Sequence, residues 1–287
     1  MARYLDPKYD LTFKRVFGEH KHLCISLINS MLPFEEGREV VTIEYETGEL
    51  IPERRSARNS IVDVRCIDNF DRRFIVEMQM EWTESFMQRV LFNASKVYVK
   101  DLNKAEEYEK LTPVYSLNFL KENFEKSPEM AQEYFHHYKI VNVARTDRQI
   151  KGLEFVFIEL QKFKPSNRAE KKLHELWLRF LTEINEHTQE APQELLAQTE
   201  TQEAIHYMEV GAFTDIELAI YDREKDEIMS ARTLLSAAKR EGLAEGEEIG
   251  IAKGREEGQE ERQKLQQELS DKDRRIAELE NLLTNKN

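Results

Sequence analysis

The sequence predicts an α/β core over residues 1–165, followed by a helical region over 166–241 and a coiled-coil-like tail over 242–287. Three observations predict it. Before position 165, short runs alternate apolar and polar residues at period two, interleaved with segments whose apolar residues recur at helical spacing. Beyond the stretch Pro165-Ser-Asn-Arg168 the alternating runs stop and helical patterns take over. From Gly242 a glycine recurs every fourth residue, at 242, 246, 250, 254 and 258, and a heptad pattern follows.

Residues 9–32 place Phe13, Phe17, Leu23, Ile25, Leu27, Ile28 and Leu32 at mostly helical spacings, with Gly18 splitting the run into two helices and Pro33 ending it. Over 39–46, Val41, Ile43 and Tyr45 alternate with polar residues, as in a half-buried strand. Strands over 60–67 and 73–81 are joined by the turn-forming Asp68-Asn-Phe-Asp71. A helix is expected over 84–103, and further strands over 113–120, 134–143 and 153–160, the last apolar enough to be covered on both faces. Helices then follow over 169–186, 193–211 and 215–240. In the tail, Leu265, Leu269, Ile276, Leu279 and Leu283 keep a heptad, with Lys272 in one core slot. In a lone helix each tail glycine costs about 0.8–1.0 kcal/mol relative to Ala, so the segment is expected either to pack its glycine face on a partner or to be mobile.

A chain with 40% hydrophobic and 34% charged residues, 10 Gly and 7 Pro has the composition of a helix-rich globular protein. The charged N-terminus offers no signal-peptide core and no segment nears the roughly 18 apolar residues of a membrane span, so the expectation is a cytoplasmic protein without membrane contact. Cys24 and Cys66 are too few for a disulfide framework or a zinc cage and are expected reduced in the core. The net charge of −13 is uneven: residues 1–164 hold 25 Lys+Arg against 27 Asp+Glu, residues 165–287 hold 17 against 28. The front half therefore stays free to form basic patches against phosphates. The pairs His20/His22 and His136/His137 lack zinc-site partners. P-loop, nucleophile-elbow and dinucleotide motifs are missing. The sequon Asn93-Ala-Ser95 has no role without secretion.

If the hairpin turn centres on Phe70, residue i faces residue 140 − i, and Asp63 faces Glu77. Asp63, Arg65, Ile75, Glu77, Gln79 and Glu81 then share one face, and Val62, Val64, Phe74, Val76, Met78 and Met80 point into the core. Opposed residues have Cβ atoms about 4.5–5.5 Å apart, where two carboxylates repel unless a cation joins them. Mg²⁺ or Mn²⁺ suits that oxygen ligand set and supports phosphodiester hydrolysis. Read singly, each carboxylate is more often, about three times in four, a solvated residue on the polar face of an antiparallel sheet. The apolar opposite face and the basic helix that follows favour a site.

The order Ser60-Ile-Val-Asp63, hairpin, Glu77-Met-Gln79 closely resembles the D…(D/E)-X-(K/Q) signature of the PD-(D/E)XK nuclease superfamily. Within it the chain resembles the Rpn family of recombination-promoting nucleases, also described as transposases. The matching features are Asp10-Leu-Thr-Phe-Lys14-Arg-Val-Phe-Gly18, Gln88-Arg89-Val-Leu-Phe-Asn-Ala-Ser-Lys96-Val-Tyr98, Phe157-Ile-Glu-Leu-Gln-Lys-Phe163 and the glycine-repeat tail. The resemblance covers residues 5–165 strongly and the rest loosely. It implies a restriction-endonuclease-like mixed central sheet flanked by helices, Mg²⁺-dependent (or Mn²⁺-dependent) DNA cleavage, and a link to recombination or mobile elements. Carried over, Asp63 and Glu77 become metal ligands and Gln79 takes the last motif position. Lys is commoner there, and Gln79 carries no charge. Either Lys96 or Lys14 substitutes or the activity is modest, and Asp10 is a further candidate acid. Arg89 and Lys96, with Arg54, Arg55, Arg58, Arg72, Arg73, Lys100 and Lys104, read as a DNA-contacting rim or as a solvated charged surface. The alternative function is a nuclease-fold component of a mobile-element or phage-defence system that binds DNA or oligomerises with little catalysis. The tail is the candidate surface for homo-oligomers.

Overall fold

The computed structural model describes residues 3–46, 49–50, 60–61, 63–100, 107–108, 111–165 and 172–284. Val62, Arg54, Arg55, Arg58, Lys104 and the segment following Pro165 lie outside them. Two units are distinguished, residues 1–226 and 227–287.

The opening helices form as α1 (Asp10–Phe17) and α2 (Lys21–Met31). Gly18 divides them: its N–H bonds to the Lys14 carbonyl, and a Cβ there would lie 2.7 Å from that oxygen. The first strand, β1 (Ile43–Tyr45), is shorter than its alternation suggests. Asn29 binds the Val40 N–H and carbonyl at 2.8 Å each, which buries Val40 and leaves Val41 70% exposed. The expected strand over 60–67 is two pieces. β3 (Ser60–Ile61) pairs with β2 (Glu49–Leu50) in a small separate sheet, the chain bends at Asp63, and β4 (Val64–Asp68) enters the main sheet.

β4 pairs with β5 (Arg73–Gln79) in the register read from the sequence, Val64 against Val76 and Cys66 against Phe74. Its turn is built by Asp68, whose Oδ1 accepts the N–H groups of Phe70 and Arg72, while Asp71 takes the positive φ of 58°. Next come α3 (Phe86–Val99), β6 (Val114–Leu120), β7 (Phe135–Asn142) and β8 (Arg145–Glu159). The six-stranded order is β1-β4-β5-β6-β8-β7, with β5, β6 and β8 parallel and the other neighbours antiparallel. The sheet is therefore mixed, and α3 is the crossover that parallel β5 and β6 require.

Both faces of the sheet are covered. On one, Phe86, Val90, Ala94 and Val97 of α3 pack on Ile75, Val114, Leu120 and Phe157. On the other, Phe13 of α1 meets Phe119, and Phe34 meets Phe74 and Tyr115. The face whose residues, read singly, look solvated is thus roofed by α3, and Arg65 is buried there with Glu46 as its ion partner at 2.9 Å. Helix α4 (Leu173–Glu183) docks Trp177 and Phe180 on Phe17, and α5 (Gln193–Leu196) and α6 (Thr199–Tyr207) complete that layer.

β8 begins eight residues before the expected strand, so β7 and β8 run on past β6 as a two-stranded ribbon whose residues 138–151 are exposed. Helix α7 (Asp215–Thr284) is continuous through the five repeat glycines, and a Cβ added at any of them would meet nothing within 4 Å. No described helix is long and apolar enough to cross a membrane.

Candidate active site

Asp63 sits where the chain bends into β4, and its Oδ2 accepts the Met78 N–H of β5 at 2.7 Å. That bond turns the Asp63 carboxyl towards the strand carrying Glu77, one residue before Met78. Glu77 points to the α3 face and is only 6% exposed. The Asn93 amide of α3 donates to its Oε1 at 3.3 Å. The two acids interact electrostatically. Burial, then the charges of Glu77 and Asp10, push the Asp63 carboxyl up to about 7, while the Met78 N–H and Lys14 pull the other way. Burial also raises Glu77, opposed by Arg89 and by the Asn93 hydrogen bond.

Gln79 stands beside the pair with both polar ends engaged: Oε1 accepts from Arg89 Nη2 at 2.5 Å and Nε2 donates to the Glu81 carbonyl at 2.6 Å. Arg89 therefore brings a guanidinium to the last motif position, next to Glu77. This placement is helical arithmetic, since Arg89 and Asn93 lie four residues apart on one face of α3. Asp10 and Lys14 form an i,i+4 ion pair on α1 at 2.7 Å and act on Asp63 from that side. Lys96 lies further along α3 with its ammonium over the Phe92 ring. Arg72 is no part of an exposed rim: it is 4% exposed, and Asp68 Oδ2 accepts from its Nε at 2.7 Å. Arg73 is likewise engaged inward, with Thr112 and towards Glu46.

Sequence reasoning missed Asn93, although the signal was present: a polar residue at a core phase of α3, among Phe86, Val90, Ala94 and Val97. It also missed Glu122, whose carboxylate accepts the Trp82 N–H at 3.0 Å just past β5. Among the described residues no group of three His, Cys, Asp or Glu side chains is placed to hold a metal. Two carboxylates still suit Mg²⁺, which usually binds through one or two carboxylates and fills its remaining positions with water and substrate phosphate. The raised Asp63 and Glu77 are acids that a cation would relieve.

A mixed sheet flanked by helices, with Asp63 bonded to the backbone of the strand that carries Glu77, defines a protein with the restriction-endonuclease-like α/β nuclease fold. A family model described as PD-(D/E)XK nuclease family transposase matches residues 7–238, and the chain belongs to that family. No match was found among curated proteins or among solved structures. Membership brings a nuclease- or transposase-related function, with DNA as the substrate class and divalent metal ions as the usual cofactors of such nucleases.

Proposed function

We propose that this chain is a Mg²⁺-dependent DNA endonuclease, with Mn²⁺ able to replace Mg²⁺, acting in the cytoplasm in recombination or mobile-element processes. The observation that carries the reading is the placing of the half-buried Asp63 and the buried Glu77, both of raised pKa, at neighbouring points of the β4–β5 pair, with Asp63 bonded to the Met78 N–H next to Glu77. Asp63 and Glu77 would hold the divalent ion, which when bound would supply charge neutralisation for the scissile phosphate and a lowered pKa for the attacking water, so that its hydroxide form is available. The Met78 N–H and the Asn93 amide fix the carboxylates. Arg89, held by Gln79, supplies the cation that Gln79 itself lacks. Gln79 is then a positioning residue, its oxygen bound to Arg89 and one amide N–H given to the Glu81 carbonyl. Asp10 and Lys14 form an outer electrostatic shell, and Lys96 serves DNA binding along α3.

The test is plasmid nicking by purified protein in Mg²⁺, Mn²⁺ or EDTA. Asp63→Ala and Glu77→Ala reduce nicking to background while circular dichroism and thermal melting stay those of a folded protein. Unchanged nicking in both variants rules this assignment out. The engagement of both ends of Gln79 favours a second reading, a DNA-binding or oligomeric component of a mobile-element or phage-defence system with little catalysis. DNA binding without nicking in any metal selects it. In either case we assign the tail, residues 242–287, to self-association.

A further inference from the structure

At the opposite end of the sheet from the carboxylates, and on its other face, lies a cleft of about 240 Å³ between the Pro33–Arg38 loop, the Phe70 turn and the base of the β7–β8 ribbon. Phe74 and Tyr115 stack behind it with ring centroids 5.3 Å apart. Phe74 lies three residues before Glu77 on β5, so it points to the other face and is separated by about 10 Å along the strand. The cleft is thus distinct from the candidate active site.

Its lining combines half-buried aromatic rings, Phe34, Phe70 and Tyr115, with the cations Arg38, Arg72, Lys139 and Lys151. Two of these cations are committed: Arg72 to the buried Asp68, and Lys139 to Glu154 at 3.2 Å. Arg38 and Lys151 form no ion pair among the described residues, and both are exposed. Arg38 instead lays its guanidinium over the Phe70 ring at 4.2 Å. A planar cation on an aromatic ring is a platform for a nucleobase, and a second cation close by meets the phosphate that accompanies it. The carboxylates of Glu35 and Glu154 in the same wall oppose a polyphosphate. The volume lies below the roughly 300 Å³ at which pockets for drug-sized ligands begin, so it accommodates a single unit.

We infer that this cleft binds one nucleotide, its base against the Arg38–Phe70 stack and Tyr115 and its phosphate held by Arg38 and Lys151. The nucleotide is either free in solution or part of an unpaired nucleic-acid strand; both present the same chemistry. The inference stands whether or not Asp63 and Glu77 cleave DNA.

The experiment uses the full chain in EDTA, so the metal pair takes no part. Deoxyadenosine monophosphate is titrated by calorimetry and a fluorescein-labelled ten-residue oligo(dA) by anisotropy, against wild type, Arg38→Ala, Lys151→Ala and, as a control for loss of one positive charge elsewhere, Lys21→Ala on α2. Saturable binding is expected in wild type and Lys21→Ala, weakened at least fivefold in each cleft variant. For the oligomer, the slope of log affinity against log salt should become shallower by about 0.7 per cation removed. Binding of the mononucleotide identifies a free ligand, and binding of the oligomer alone identifies a strand. Binding of neither probe, or equal binding in both cleft variants and wild type, overturns the proposal. A failed nicking assay leaves it untouched.

Discussion

Asp63 carries an electrostatic cost in the folded chain. Its carboxyl is held up to about 7 from an ordinary 3.8, chiefly by burial and then by the charges of Glu77 and Asp10. The folded state therefore retains a proton that the unfolded chain gives up. Below about pH 4 both states are protonated and this stabilisation is complete; it is lost as pH rises through about 7. Asp63→Asn keeps an acceptor for the Met78 N–H and removes the charge, so it should stabilise the protein at pH 8 by about 1–3 kcal/mol and hardly at pH 4, a window set by linkage. Urea unfolding at the two pH values measures this, and equal gains at both would contradict it. Added Mg²⁺ should raise the melting temperature of wild type more than that of the variant. Arg89 is the matching cation. Arg89→Ala should slow nicking by about 10–100-fold, as loss of a group supporting a metal site does, with Arg89→Lys recovering only part because an ammonium lacks the forked donor geometry. An Arg89→Ala enzyme as fast as wild type would return the role to Lys14 or Lys96. The basic character of Arg89 was legible in the sequence. Its partnership with Gln79 was not, because that depends on the rotation of α3 against β5.

At the scale of elements, the β4–β5 register was legible, since the turn chemistry of Asp68 to Asp71 and the alternation of Val64, Cys66, Phe74 and Val76 agree on one pairing. The break at Asp63 was not. The alternation of Ile61 to Arg65 runs straight through it, and the bend is marked by a tertiary bond, Asp63 to the Met78 N–H. The roof over Glu77 was hidden for a similar reason: polar residues facing a helix read like polar residues facing water. The loop after β6 shows how the structure behind the site is fastened. Glu159, fully buried at the end of β8, accepts the N–H groups of Phe124 and Glu125 at 2.6 and 3.0 Å, and also binds His136 at 3.0 Å and Lys162 at 2.5 Å. Glu159→Ala leaves the Lys162 ammonium and two backbone donors without that acceptor, a loss of about 3–5 kcal/mol for a broken buried ion pair. Denaturant unfolding should show a lowered midpoint at unchanged slope; a loss under about 1 kcal/mol would mean water replaces the carboxylate.

For the molecule as a whole, the sequence divides its labour by charge and by apolar pattern, and the second unit poses the sharper question. Its glycines should cost a solitary helix several kcal/mol, yet α7 passes through all five without a break. Along the heptad, Leu265, Leu269, Ile276 and Leu279 are each half or more exposed. Burying the exposed half of a Leu or Ile returns about 0.75–1.5 kcal/mol, so a two-stranded seam with eight such side chains gains about 6–12 kcal/mol. Association itself costs about 4–15 kcal/mol, and Lys272 in a core slot weakens the seam further. The expected self-association is therefore weak and concentration-dependent, not obligate. Light scattering across a concentration series should show the mass per particle rising for the full chain and staying flat once residues 242–287 are removed. Leu269→Asp with Ile276→Asp should mimic the truncation, and Lys272→Leu should shift association to lower concentration. A truncated chain that associates like the full one would place the contact elsewhere and leave the heptad as a solvated helix.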